Sequence, residues 1–323
     1  MAAVLDDLLR QQQGVLTRAQ ARAAGLSEGA IRRHLQARRW QKLYRGVYAT
    51  FSGPVPRLAQ FWAAVHAAGE DAVLCGQSVA ELLNLTDRPS PTMHVKVASR
   101  RRVVPVPGVE VHRAQHMGRR RQPSGQPPQT TVEETIIDLT QSARDVEEAY
   151  GWLAKAVNAR LTTPARLVEA MRHRPRLRWR RLLLEGLGDV EAGCRSVLEM
   201  RYLHRVERAH GLPSGERQAR VVRGTQRNYL DVRYREFRTT VELDGEAAHP
   251  YHLRFRDRRR DNAGVVAGST VLRYGTADIE RDPCSVASDV GSVLRHEGWR
   301  GSARPCDRAA CTVATDLGKA LYR

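Results

Sequence analysis

Asp231 is followed eleven positions later by Glu242, and then by Asp244, within YLDVRYREFRTTVELDGEAAH. Both flanks read as short β-strands, in which successive side chains point to opposite faces. On the first strand Tyr229, Asp231 and Arg233 share one face, and Leu230 and Val232 the other. On the second, Glu242 and Asp244 stand opposite Val241 and Leu243. A tight connection through Arg235 and Glu236 predicts antiparallel neighbours with three carboxylates on one face. Carboxylates placed that close resist joint ionisation unless a cation neutralises them. The expected partner is a hard, oxygen-seeking divalent ion, Mg²⁺ or Mn²⁺, with Asp231, Glu242 and Asp244 as its ligands.

A fourth acid is expected from the preceding helix, over 195–210. Its apolar stripe is Leu198, Tyr202, Val206 and Ala209, and Glu199 falls inside that stripe on the helical wheel. A buried, unpaired carboxylate costs several kcal/mol. Glu199 therefore calls for a salt bridge, or for a metal site or its bound water. A plain surface strand pair would mix acids and bases along its exposed face. Here Glu242 and Asp244 follow Thr239 and Thr240 and precede Gly245, where a backbone can approach closely.

The elements that must position these acids come in a definite order. After the helix, strands are expected over 218–222, 229–234 and 239–244. A helix over 255–267, a strand over 270–274 and a helix from about 282 follow. Joined to Glu199, Asp231 and Glu242, this αβββαβα order resembles the PD-(D/E)XK nuclease fold. SVLEMRYL, YLDVRY, VELDGEAAH, FRDRRRDNAG and VLRY are similar to Vsr-like (very-short-patch-repair) endonuclease domains, over about 191–297.

The resemblance implies a restriction-endonuclease-like αβββαβ domain over 189–298 that hydrolyses DNA phosphodiester bonds with a divalent metal. It makes Asp231 the anchoring ligand, Glu242 the second carboxylate, and Glu199 the helix acid that reaches metal-bound water. One departure stands out: Asp244 occupies the slot where the fold's motif usually has lysine. Vsr-like enzymes also lack that lysine and use histidines near the equivalent strand end. His249 falls there and could move a proton as general acid or base. Arg258 and Arg260 would contact phosphates.

Charge points the same way. The 323 residues carry 53 basic and 35 acidic side chains, a net charge of +18. Such a field attracts polyanions, and nucleic acid is the expected partner. A GC-rich genome explains arginine over lysine, but not the deficit of acids. No apolar run approaches the roughly 20 residues that span a bilayer, and MAAVLDDLLRQQQG reads as an amphipathic helix, not a secretory signal. A cytoplasmic protein with no membrane partner is expected. The five cysteines are scattered without a CxxC pair, so neither a disulfide scaffold nor structural zinc is expected.

Residues 1–52 have their own pattern. Val4, Leu5, Leu8 and Leu9 form one helical stripe ending at Gly14. Thr17 caps a second helix and Ser27 a third, with Ile31 and Leu35 facing inward. WQKLYRGVYAT then alternates around Arg45-Gly46 as a two-stranded wing would. The third helix is expected to show Arg32, Arg33, His34 and Arg38 to solvent, with Lys42 and Arg45 beyond, as a DNA-reading surface.

VLTRAQARAAGLSEGAIRRHLQARRW and LYRGVYA resemble the N-terminal winged helix-turn-helix of AbiEi-type antitoxins. That resemblance implies a DNA-binding or autoregulatory module. It also supplies the alternative for the whole chain: a non-catalytic antitoxin or transcriptional repressor with a degenerate nuclease domain, and a cognate toxin as a further partner.

Residues 53–188 read as an AbiEi-like α/β middle region without a catalytic constellation, its His94, His112 and His116 structural. Six arginines within 171–181 read equally as solvated or phosphate-contacting. Residues 299–323 are expected to be loose. The whole is an α/β (α+β) chain directed at double-stranded DNA.

Overall fold

The computed structural model describes residues 2–223, 226–244 and 269–313. The chain is mixed α and β, with three small sheets among the described residues. It divides into two compact units, Met1–Arg178 and Trp179–Arg323.

The first unit opens with α1 (Ala2–Gln11), β1 (Val15–Thr17), α2 (Arg18–Ala23), α3 (Glu28–Gln36), β2 (Gln41–Tyr44) and β3 (Val47–Ala49). The caps are those the sequence predicts. Thr17 Oγ1 accepts from Gln20 N while the Gln20 side chain accepts from Thr17 N, a reciprocal capping box. Ser27 Oγ accepts from Ala30 N at the start of α3. β1 joins the wing, giving an antiparallel sheet in the order β1-β3-β2. Leu16, Ala21, Ile31, Trp40 and Tyr48 close one core beneath it.

A second core couples this module to the middle region. Val15 and Val47 pack with Ala59, Trp62 and Ala63 of α4 (Arg57–Ala68). The winged helix and the middle region therefore lie within the first unit, Met1–Arg178. Beyond α4 come β4 (Val73–Leu74), α5 (Gly76–Leu82), β5 (Met93–Ala98), β6 (Val109–Ala114) and the short α6 (Met117–Arg120). Helices α7 (Val132–Ser142), α8 (Val146–Asn158) and α9 (Pro164–Arg172) complete the unit. β5 and β6 pair in parallel, so the basic stretch at Arg100-Arg101-Arg102 belongs to a crossover. Part of the arginine-rich segment is tied down. Arg174 pairs with Glu134 at 2.9 Å and Asp138 at 3.1 Å, and Arg178 donates to the carbonyls of Ala143 and Arg144.

The second unit contains α10 (Arg180–Glu191) and α11 (Val197–Tyr202), the latter continued by a π-helical segment, Leu203–Arg208. β7 (Glu216–Arg223), β8 (Gln226–Tyr234), β9 (Thr239–Asp244) and β10 (Thr270–Gly275) come next, then α12 (Thr276–Arg281) and α13 (Pro283–His296). The sheet order is β10-β9-β8-β7. β7, β8 and β9 are successively antiparallel, and β9 and β10 are parallel. The turn between β8 and β9 is the tight one expected, a single 3₁₀ turn over Arg235–Phe237. Leu198, Tyr202 and Val206 of the helix pack with Val232, Tyr234 and Val241 of the sheet and with α13.

Residues 299–313 differ from expectation. Trp299, Ala303, Cys306 and Cys311 lie against this core, and Val313 is buried in it. Arg304 N donates to His210 O at 2.7 Å. Burial of Val313 and packing of the Trp299 ring against the core favour an ordered segment, in opposition to the conformational entropy lost on ordering it.

Candidate nucleic-acid interface and acidic site

Helix α11 is capped by Ser196, whose Oγ accepts from Glu199 N at 3.0 Å. The cap turns Glu199 inward, as the helical wheel required, and leaves it 4% exposed. Its Oε2 accepts from Arg195 N at 3.1 Å and its Oε1 from Gln218 Nε2 at 3.2 Å. Gln218 Nε2 also reaches Asp231 Oδ1 at 3.2 Å. One amide nitrogen thus links the helix acid to the strand acid. Gln218 sits on β7 in the register that faces Asp231, with φ of 49°, a left-handed backbone uncommon outside glycine.

Asp231 closes a second link. Its Oδ2 accepts from Leu243 N at 2.8 Å, so a side chain serves β9 beyond the last backbone pair, Val232 with Val241. Burial pushes the Asp231 carboxyl above its ordinary range, against the N–H donors of Leu243 and Gln218, and the nearby Asp244 adds to the shift. Burial likewise raises Glu199, against the Arg195 N–H, and Asp231 adds to it. Both acids are thus raised by burial and held by neutral N–H donors.

The other two acids stand differently. Asp244 places both oxygens 3.0 Å from Arg273 Nη1. Glu242 lies on the same strand, in register with Arg273 and half-buried. Among the described residues, Asp231, Glu242 and Asp244 do not each bring an oxygen within 4.8 Å of the others. The structure therefore joins Glu199 to Asp231 and holds Asp244 on a cation of the protein's own. His249, Arg258 and Arg260 lie outside the described residues.

Two groupings are not apparent from the sequence. Glu207, turned into the core by the π-helical segment, pairs with Arg217 at 2.8 Å and accepts from Tyr234 Oη at 2.8 Å. In the first unit, a cleft is lined by His94, Lys96, Glu110, His112, Asp138 and Arg174. His94 Nδ1 lies 3.1 Å from His112 Nε2 and their rings stack, so two histidines read from the sequence as structural are neighbours. The signal is present in the strands, where His94 and Lys96 on β5 alternate as Glu110 and His112 do on β6.

The basic surface is on α3 and the wing. Arg32, Arg33 and Arg38 are exposed, as are Lys42 on β2 and Arg45 in the wing turn. Among the described residues no ion pair joins any of these five cations to an acid. By contrast, Arg18 and Arg22 on α2 both pair with Glu28. His34 departs from expectation. Its ring stacks on Trp40, with centroids 4.8 Å apart and planes 15° from parallel, and is half-buried. It joins α3 to the wing instead of presenting itself to solvent.

Residues 4–50 match the family described as transcriptional regulator, AbiEi antitoxin. The matched span begins within α1 and ends just after β3, so it covers the winged module and its unpaired cations. No curated protein matches the chain. Among the described residues no helix is long and apolar enough to cross a membrane.

Proposed function

We propose that the chain is a DNA-binding transcriptional regulator of the AbiEi antitoxin type, acting on double-stranded DNA through α3 and the wing. The observation that carries this reading is the coincidence of the matched span with five exposed cations that no acid among the described residues neutralises. Cations left unpaired release counterions when they meet phosphates, which drives binding and makes it salt-dependent. In a helix-turn-helix the second helix enters the major groove, which here is α3. A cognate toxin is the protein partner that the matched family suggests.

The second unit supports a further reading as a metal-dependent nuclease domain of the Vsr-like, PD-(D/E)XK kind. The favouring observation is the link from Glu199 through Gln218 to Asp231, on a helix and strands in the expected order. The oxygen donors of Asp231 and Glu242 suit Mg²⁺ or Mn²⁺, and Asp244 could join them only by leaving Arg273. Such an ion, when bound, lowers the pKa of coordinated water and offsets charge on the scissile phosphate. Glu199, raised by burial, is suited to accept a proton from that water. His249 would be the second proton carrier, and Arg258 and Arg260 phosphate contacts.

Two measurements separate these readings. Fluorescence anisotropy on the chain's own promoter DNA should give tight binding without added metal. Plasmid nicking with Mg²⁺ and Mn²⁺, on wild type and Asp231→Ala, tests hydrolysis. Nicking that persists undiminished in Asp231→Ala would remove the nuclease reading, and promoter affinity equal to that for random DNA at all salt concentrations would remove the regulator.

A further inference from the structure

Four side chains far apart in sequence meet at the end of the second unit. His210 lies just beyond the π-helical segment, Cys284 stands in the first turn of α13, and Cys306 and Cys311 come from the segment after it. One ligand atom from each lies within 4.8 Å of all the others. All of these cysteines are free thiols. Sequence spacing hides the group, because only Cys306 and Cys311 are near neighbours along the chain.

The distances are those of a coordination shell. Cys284 Sγ and Cys306 Sγ are 3.7 Å apart, and Cys311 Sγ and His210 Nε2 are 3.8 Å apart. With Zn–S near 2.3 Å and Zn–N near 2.0–2.1 Å, a tetrahedron has S–S edges of about 3.8 Å and S–N edges of about 3.6 Å. The imidazole is also prepared. Its Nδ1 donates to Val206 O at 3.1 Å, which fixes the tautomer and leaves the Nε2 lone pair facing the sulfurs. Cys306 N donates to Cys311 Sγ at 3.5 Å.

We propose that His210, Cys284, Cys306 and Cys311 form a structural Zn²⁺ site that fastens residues 299–313 to the end of the α11 helix and to α13. Three sulfurs and one imidazole nitrogen select zinc over the hard ions suited to the carboxylates. Four protein ligands leave no open position, so the role is structural. His210 is fully buried and Cys284 nearly so, which shields the site from competing chelators. The site is independent of either functional reading.

The test is metal analysis of the full-length protein, purified without chelator from zinc-supplemented cells. The expected result is about one zinc per chain that survives gel filtration, and Cys75→Ala, whose cysteine lies in the first unit, should retain it. Cys306→Ala/Cys311→Ala should lose zinc by about tenfold or more. Because that variant could misfold, wild type is also reconstituted with Co²⁺, and thiolate-to-cobalt charge-transfer absorption with tetrahedral d–d bands is expected. Zinc that gel filtration strips from wild type would overturn the site. So would zinc retained by the double variant, a Co²⁺ complex without charge-transfer bands, or a Cys284–Cys306 disulfide found by mass spectrometry in freshly purified protein.

Discussion

Asp244 directs both carboxylate oxygens at a single nitrogen of Arg273, 3.0 Å from each. The pair forms between β9 and β10, where Asp244 is in register with Gly275 and Glu242 with Arg273. Arg273 therefore places a positive charge beside the carboxylates that a divalent ion would need. In a nuclease with a motif lysine, a cation at this position is part of the expected pattern. On the proposed nuclease reading, the cation here comes from the neighbouring strand and holds the acid in the slot where that motif has lysine.

Removing that cation should favour metal. Arg273→Gln removes the Asp244 ion pair and is expected to tighten Mn²⁺ binding by up to roughly fivefold, the range a partly exposed ion pair can shift. Isothermal titration calorimetry measures it. Asp231→Asn in the same background should abolish binding, and an unchanged Mn²⁺ affinity in Arg273→Gln would exclude Asp244 as a ligand.

The raised acids make a prediction about pH. A carboxyl whose folded pKa lies above its unfolded value binds its proton more tightly in the native state. Its contribution is favourable in acid and is lost as pH rises through the folded pKa. Glu199 and Asp231 are both raised, with burial as the leading cause. Glu199→Gln keeps the shape and cannot ionise, so it should be more stable than wild type at neutral pH. The difference should close as pH falls below the ordinary carboxylate range, about 4. Urea midpoints across this range read it out. A variant that is less stable than wild type at neutral pH would show that the charge on Glu199 is held favourably.

Much of this is legible in the sequence, for identifiable reasons. Thr17 and Ser27 announce their helices because a hydroxyl accepting a backbone N–H is a local interaction. The inward turn of Glu199 follows from periodicity alone. Gln218 does not stand out, since an amide on a strand signals nothing until its two acids are in place. Glu207 is hidden by the π-helical segment, whose wider turn breaks the period used to assign faces. His34 is misplaced by periodicity because Trp40, the ring it stacks on, lies beyond the helix end. His210, Cys284, Cys306 and Cys311 converge only through tertiary packing, which spacing cannot express.

The Glu207–Arg217 pair should behave as a buried ion pair. Their side chains are 3% and 4% exposed, and Tyr234 Oη completes the acid's bonding. Burial raises Glu207, against Arg217 and the Tyr234 hydroxyl. Arg217→Met leaves an uncompensated carboxylate and is expected to cost about 3–5 kcal/mol in chemical denaturation. Glu207→Leu combined with Arg217→Met should recover most of that loss. A double variant as unstable as the single one would mean that packing volume, not charge, governs the site.

The winged module gives the sharpest contrast, because adjacent residues on α3 have different roles. Arg32 and Arg33 are exposed without an acidic partner among the described residues, whereas His34 is stacked on Trp40. Arg32→Ala/Arg33→Ala should weaken promoter binding and reduce the slope of log affinity against log salt by about 2, one counterion for each lost phosphate contact. Its thermal stability should stay close to that of wild type, since both side chains are solvated. His34→Ala should do the reverse, lowering stability by about 0.5–1.5 kcal/mol through the lost stack and leaving the salt slope unchanged. Anisotropy titrations at several salt concentrations, run beside urea denaturation, separate the two effects. A steep slope retained in the double arginine variant would move the phosphate contacts off α3, and a shallower slope in His34→Ala would return the imidazole to the DNA-facing surface.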